Sequence, residues 1–307
     1  MTYRKEQQIN VLQKQFLASL VNNKDYPIQA ASEVDLKELF NEIMNKGMHG
    51  LCFSMYEDGQ EPGDHISEEQ VLRRMKTLQP HIKWVRSFSC IEGNEFVPKV
   101  AKQLGIKTLV GAWLSDDEEK NREEIDGLIK MANDGLVDIA AVGNEVLYRK
   151  ELTLQQLLAY MKEVRAKIPA HIPIGYVDAY YEFSSHPELV ENSDVILANC
   201  YPFWESCHFD YSLAHMQQMY GQALSVAKGK KVIITETGWP SQGEALDAAQ
   251  PSYINALKYF INAQLWANNA QIEMFYFSSF DESWKVGAEG DVGAYWGIWD
   301  KNEKLKY

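Results

Sequence analysis

Two glutamates in short polar segments are the residues of this chain best suited to chemistry. Glu145 lies in Val142-Gly143-Asn144-Glu145-Val146, and Glu236 in Thr235-Glu236-Thr237-Gly238-Trp239-Pro240-Ser241. Each closes a run that reads as a buried strand. Two carboxyls flanking a sugar can break a glycosidic bond. One gives a proton to the leaving oxygen, and the other acts at the anomeric carbon. Held a few Å apart, both cannot ionise cheaply, so the pair divides into an acid and a base. A separation of about 5–5.5 Å would direct retention through a covalent glycosyl-enzyme, and roughly 6.5–9.5 Å would direct inversion. A lone glutamate at a strand end is more often a surface charge, so the pair carries meaning only if both share one rim.

The elements that must position them recur regularly. Eight short runs rich in Val, Ile, Leu and aromatics span Gly50–Tyr56, Ile82–Ser89, Thr108–Leu114, Val137–Gly143, Ile172–Val177, Val195–Tyr201, Lys231–Thr235 and Ile272–Ser279. Near-continuous apolar runs suit strands buried on both faces, as in a parallel sheet. Helical patterns alternate with them. Ser67-Glu68-Glu69-Gln70 has the form of a capping box, and Ser115–Asn133 is acidic in its first turn. Thr153–Lys167, Tyr211–Ala227 and Pro251–Ala267 follow, the last with Pro at a first helical position. The segment after the fifth strand is shorter and less regular.

Eight strands alternating with helices predict an α/β chain folded as a (β/α)8 TIM barrel. A doubly wound open sheet would carry a Gly-rich phosphate turn after an early strand, and Glu57-Asp58-Gly59-Gln60-Glu61-Pro62-Gly63 is no such turn. In a barrel all strand C-termini face one rim, which places Glu145 (fourth strand) and Glu236 (seventh) together. No clear helix follows the eighth strand. Ser32–Lys46 is instead a good amphipathic helix before the first, expected to cover part of the barrel wall or floor. With no repeat or linker, residues 1–307 read as a single domain, with 1–47 a helical extension and 48–307 the barrel.

Bulk properties narrow the partners. The formal net charge of −13 argues against nucleic acid and anionic membrane surfaces, but not against a neutral sugar. The 8 Trp and 16 Tyr are ample for a cleft that stacks on the apolar faces of pyranose rings. No run approaches the roughly 20 apolar residues of a membrane span. Met1–Gln15 contain no apolar signal core, which leaves a cytosolic protein and a trimmed mature form as readings. Cys52, Cys90, Cys200 and Cys207 match no metal spacing, and no His-rich ligand set or phosphate loop appears, so neither metal nor cofactor is expected. Free thiols are the expected state, with Cys52 and Cys90, in the first two strands, able to approach each other.

The two glutamate segments also resemble the catalytic motifs of glycoside hydrolase family 17, which contains β-1,3-glucanases and glucan transglycosylases. Tyr56-Glu57-Asp58-Gly59-Gln60 resembles the loop after the first strand in bacterial members. Arg86-Ser87-Phe88-Ser89 resembles the second strand and Gly111-Ala112-Trp113-Leu114 the third. Asn199-Cys200-Tyr201-Pro202-Phe203-Trp204-Glu205 fits the sixth. Phe280-Asp281-Glu282-Ser283-Trp284-Lys285, with Glu289-Gly290 and Trp296-Gly297, fits the eighth and the tail.

The resemblance implies a retaining mechanism, with Glu145 as acid/base and Glu236 as nucleophile. Asn144 would hold the sugar 2-hydroxyl, and Tyr201 would hydrogen-bond the nucleophile. Tyr56, Arg86, Phe203, Trp204, Trp239, Phe280, Glu282, Trp284, Lys285 and Glu289 would complete the substrate site. The charged trio Glu282, Lys285 and Glu289 reads equally as a structural ion-pair network. Trp113, Phe203, Trp204, Trp239 and Trp284 are candidate sugar platforms, with Trp239 and Trp284 favoured. Asp178, Tyr180 and Tyr181 could line the same groove, while His186 and His208 read as solvated.

The expected substrate is a laminarin-like β-1,3-glucan, cleaved internally. Family likeness suggests secreted, periplasmic or cell-surface action. Residues up to Gly47 have no counterpart in the plant enzymes, and the sixth-strand segment is closer to bacterial proteins that rearrange glucans. Hydrolysis and transglycosylation therefore both stand. A non-catalytic glucan-binding barrel is a remote third reading, since such proteins usually lose a catalytic carboxylate and both are present.

Overall fold

A computed structural model describes Ile28 and residues 31–307. Most of the N-terminal extension before Ser32 thus lies outside the described residues.

Eight parallel strands close into a barrel in sequence order. They are β1 Met48–Cys52, β2 Ile82–Ser87, β3 Lys107–Ala112, β4 Ile139–Asn144, β5 Ile174–Ala179, β6 Val195–Asn199, β7 Lys231–Thr237 and β8 Met274–Tyr276. The seam pairs Leu51 of β1 with Tyr276 of β8. Every residue of β4, β5 and β6 is buried, which accounts for continuous apolar runs without alternation.

The helices are α1 Glu33–Lys46, α2 Glu68–Leu78, α3 Phe96–Gln103, α4 Glu118–Asn133, α5 Leu154–Lys167, α6 Glu182–Ser185, α7 Pro187–Asn192, α8 Ser212–Val226, α9 Tyr253–Asn269 and α10 Val286–Glu289. Their starts differ from the sequence expectation for identifiable reasons. Ser67 accepts from Gln70 N, but the reciprocal half of that capping box is missing. The Gln70 side chain instead donates to Met55 O at 2.8 Å, pinning the loop after β1. Complete boxes form at Ser32/Asp35 and Thr153/Gln156. Asp117, not Ser115, caps α4, and Ser252 caps α9, so Pro251 precedes that helix rather than opening it. The eight-residue α3 has no counterpart among the predicted helices.

No long helix follows β8; one short 3-10 turn, α10 and a second 3-10 turn (Asp291–Tyr295) do. The wall left open there is filled by α1. Phe40 packs on Phe260 of α9 and on Tyr307, at ring distances of 5.1 and 5.2 Å. Leu36, Ile43 and Met44 are buried along the same stripe. His81 Nδ1 donates to Met44 O at 3.0 Å, fastening the other edge of α1 to the turn before β2. Helix α1 thus covers wall rather than floor.

All four cysteines are free and buried. The Cys52 thiol donates to Thr235 O (3.4 Å) and Cys90 to Gly111 O (3.3 Å), each satisfied locally.

Candidate active site

The end of β4 is bent to present its glutamate. Pairing with β5 shifts register between Ala141 and Asn144. Gly143 has φ 87° and Glu145 φ 51°, so two left-handed residues bracket Asn144. Glycine meets that demand at 143, whereas at Glu145 the conformation costs on the order of 1 kcal/mol and must be held by its surroundings. Several groups hold it. Glu145 N donates to Val177 O at 2.8 Å. Tyr176 OH accepts from Leu147 N (2.9 Å) and donates to the carboxyl of Asp178. Asp178 is fully buried under this turn, where burial, aided by the charge of Glu145, holds its carboxyl well above the usual range. Arg149 donates to Asn144 O (2.5 Å) and to Leu114 O (2.7 Å), stapling the ends of β3 and β4 together.

Glu236 sits within β7, beside further register shifts towards β6 and β8. Gly238 follows because a Cβ there would lie 2.2 Å from Phe277 O. The carboxylate of Glu236 is 6% exposed and faces three donors. Arg86 Nη1 donates to Oε1 at 2.6 Å, Asn199 Nδ2 to Oε1 at 3.1 Å and Tyr201 OH to Oε2 at 2.8 Å. One guanidinium and two neutral donors compensate a negative charge there.

Asn199 joins the two carboxyls. Its Nδ2 also donates to Glu145 Oε1 at 2.8 Å. The Oε1 atoms of the two glutamates are therefore no farther apart than those bonds laid end to end, 2.8 Å plus 3.1 Å. For these nearer oxygens that limit lies closer to the about 5–5.5 Å spacing of a retaining pair than to the roughly 6.5–9.5 Å of an inverting one. Thr235 Oγ1 donates to Asn199 Oδ1 (2.8 Å), which fixes the amide so that its nitrogen faces the carboxyls. Arg86 Nη2 donates to Asn144 Oδ1 (2.6 Å) in the same way, turning the Asn144 NH2 away from the guanidinium. Arg86 itself is 1% exposed and lies 4.2 Å from the Phe88 ring centroid, so it positions these groups from below rather than meeting substrate.

Beyond β8, Lys285 Nζ pairs with Glu282 Oε2 at 2.5 Å, and Trp284 Nε1 donates to Glu282 Oε1 at 3.2 Å. Burial opposes the ammonium of Lys285, but the Glu282 and Glu289 carboxylates outweigh it and raise its pKa. Burial pushes partly buried Glu289 up to about 7, against the pull of Lys285 and with Glu282, Glu236 and Glu145 adding to the rise. Lys285 and Glu282 thus form a buried ion pair, and the charge of Glu289 acts on the same ammonium.

The aromatic expectations need correction. Trp239 is 1% exposed among Phe203, Phe209 and Tyr259, its Nε1 donating to Gln250 O. Phe203 is fully buried between Trp239, Trp204 and Trp296. Phe280 is fully buried, with Arg74 at 3.9 Å from its ring centroid and Trp299 against it. None of these three offers a ring face to a sugar; they form the floor that sets the loops. Trp204 is 8% exposed, tilted against Trp296. Tyr56 and Trp284 are partly exposed and meet edge-to-face at 5.9 Å, making one wall of the rim. Trp113 is 39% exposed at the end of β3. Tyr180 and Tyr181 are mostly buried, and Tyr180 OH donates to Glu205, which also pairs with His215 at 2.7 Å.

Sequence reasoning placed Asn199 in the sixth-strand motif without giving it a role, and missed Arg149 and Glu124. Asn199 had a signal, being the polar residue that ends a wholly apolar strand. Glu124 and Arg149 sit in acidic or basic stretches that read as solvated. Among the described residues no cluster of His, Cys, Asp and Glu could hold a metal ion, and no helix is long and apolar enough to cross a membrane.

Residues 50–297 match the model of the BtgE/BtgC glycoside hydrolase domain. The chain is 27% identical over 259 residues to glucan 1,3-beta-glucosidase BGL2 of Candida albicans, covering 75% of this chain and 82% of that one. It is 30% identical over 252 residues to a glucan 1,3-beta-glucosidase of Arthroderma benhamiae, covering 75% and 81%. The fold superposes on a glycoside hydrolase family 17 beta-1,3-glucanosyltransferase from Rhizomucor miehei with TM-score 0.76 and 26% identity, covering 85% of this chain and 96% of that chain. An active-site mutant of that protein has been solved with laminaritriose. These relatives are fungal, and they lend no support to the bacterial likeness expected from the loops after the first and sixth strands.

Proposed function

The chain belongs to the BtgE/BtgC glycoside hydrolase family, and from that premise we propose that it acts on β-1,3-glucan with retention of configuration. The observation that carries this reading is the single Asn199 amide bonded to both glutamate carboxyls, which holds their nearer oxygens at a spacing that favours a retaining pair. The names of the relatives supply the glucan.

In the first half-reaction Glu236 attacks the anomeric carbon. The bond to the leaving oxygen breaks, and Glu145 gives that oxygen its proton. In the second half-reaction Glu145 takes a proton from the attacking hydroxyl, which displaces Glu236 from the anomeric carbon. Asn144, oriented by Arg86, donates to the 2-hydroxyl, a contact that strengthens as positive charge develops on the ring. The Arg86, Asn199 and Tyr201 donors hold Glu236 for in-line attack.

Water as the second nucleophile gives hydrolysis, and a sugar hydroxyl gives transfer. The likeness to a glucanosyltransferase over most of both chains favours carrying transfer as the second reading. Incubation with defined laminari-oligosaccharides tests both. Only shorter products indicate hydrolysis, longer ones indicate transfer, and the size distribution separates internal from end-wise cutting. Glu236→Ala and Glu145→Gln should each lower turnover at least about 10³-fold. Full activity in either folded variant would overturn the assignment. We propose further that the protein meets this polymer outside the cytoplasm; recovery of the native protein solely from the cytosolic fraction would refute that.

A further inference from the structure

Trp113 stands apart from the other tryptophans of the rim because much of its ring meets solvent (39% exposed) although the residue is rigidly held. Its backbone N donates to Glu124 Oε2 at 3.1 Å. The same carboxylate accepts from Cys90 N (2.8 Å) and from Ser89 Oγ, so Glu124 locks the loops after β2 and β3 to each other. One side of the ring is covered by the guanidinium of Arg149, 4.5 Å from the ring centroid. Arg149 is itself anchored on Leu114 O, on Asn144 O and on Glu151 (2.8 Å).

An indole fixed at its backbone, backed by a guanidinium and open to solvent on the rim, is a pre-organised apolar surface that a ligand can cover at little ordering cost. The apolar C–H face of a pyranose is the ligand it fits. Because Arg149 also grips the carbonyl that precedes Glu145, the ring and the acid/base turn share one support.

We infer that Trp113 is a glucosyl-binding platform at an outer subsite, and that Arg149 is a positioning residue that sets this platform and the Asn144–Glu145 turn together. The inference rests on the glucan reading above. It assigns chain-length selectivity to the end of β3, outside the site built by the two glutamates and their donors. A sugar unit stacked on Trp113 tethers the chain in register with Glu145, so longer substrates gain and the shortest ones, which do not reach, gain less.

The test compares wild type, Trp113→Ala, Trp113→Tyr and Arg149→Lys on laminari-oligosaccharides of increasing length. For Trp113→Ala the loss in kcat/KM should be about tenfold greater on laminarihexaose than on the shortest cleaved substrate, and should fall mainly on KM. Trp113→Tyr, which keeps a ring face, should recover most of that length-dependent part. Arg149→Lys should lower kcat at every length, because its grip on Asn144 O loosens. A loss equal at all lengths for Trp113→Ala, or no loss at any, overturns the platform. Calorimetric titration of laminarihexaose into Glu236→Gln, with and without Trp113→Ala, separates this idea from the proposed reaction. An affinity drop of about tenfold supports the platform even if wild type turns nothing over, and unchanged affinity refutes it even if wild type is an active glucanase.

Discussion

Replacing Asn199 by alanine removes the one group bonded to both glutamates. Three bonds go: Nδ2 to Glu145 Oε1 (2.8 Å), Nδ2 to Glu236 Oε1 (3.1 Å) and the Thr235 hydroxyl to Oδ1 (2.8 Å). The bond to ionised Glu236 is buried and charge-assisted, worth roughly 1.5–3 kcal/mol net, while the part-buried bond to Glu145, which carries the proton, is worth roughly 0.5–1.5 kcal/mol. The third is neutral, and Thr235 keeps its place in β7. If only the bond to Glu236 counts in the transition state, kcat/KM falls by roughly 10- to 150-fold; if both count, the fall approaches about 10³-fold. Tyr201→Phe is the calibrating variant, because it removes a single hydroxyl from Glu236 Oε2 with little change of volume. Asn199→Ala should therefore be at least as slow as Tyr201→Phe. The assay is kcat/KM for laminari-oligosaccharide turnover at constant pH, with the thermal midpoint measured alongside. A folded Asn199→Ala enzyme within about threefold of wild type would refute the claim that this amide holds the pair, since one bond alone exceeds that loss.

Two further changes probe the supports. Gly143→Ala forces a side chain onto φ 87° and sets its Cβ 3.3 Å from Tyr176, so stability should drop by about 1–2 kcal/mol and kcat should fall with it; an unchanged kcat would show that the turn does not depend on this glycine. Glu124 is 3% exposed, and burial pushes it up to about 7 from 4.5. A carboxyl raised on folding contributes stability that is whole below its unfolded pKa and lost as pH rises towards the folded value. Between pH 4.5 and 7 wild type should lose roughly 3 kcal/mol relative to Glu124→Gln in urea titrations; parallel stability–pH curves would contradict it.

Much of the barrel was legible because its strands are buried on both faces and its caps follow simple chemistry. The strand count, the rim location of Glu145 and Glu236, and the vacancy after the eighth strand all follow from patterns within about fifteen residues. Element ends were less legible where two signals competed. Gln70 had a local partner at Ser67 and a distant one at Met55, and took the distant one. The aromatics misled for a related reason: Trp239, Phe203 and Phe280 flank motif residues in sequence, yet their neighbours in space are Tyr259, Trp296 and Arg74, contributed by remote segments. Burial is a property of what arrives from elsewhere in the chain, and no local pattern records it. The role of Asn199, and Arg149 altogether, escaped notice similarly, because their partners lie across the barrel or on the adjacent strand end.

Among the described helices, the one that fills the eighth wall position is made first, yet it packs against the last long one. During synthesis Phe40 of α1 waits for its ring partners Phe260 and Tyr307, some 220 to 267 residues later. At about 5–20 residues per second that wait is on the order of ten seconds to a minute. Such a long separation slows closure and leaves an apolar helix face uncovered on the nascent chain. A circular permutant that begins near β2 and joins the native C-terminal end, after Tyr307, to the segment that carries α1 would shorten this interval. Its yield and refolding rate in dilute solution would report how far the native chain order limits the barrel's own assembly.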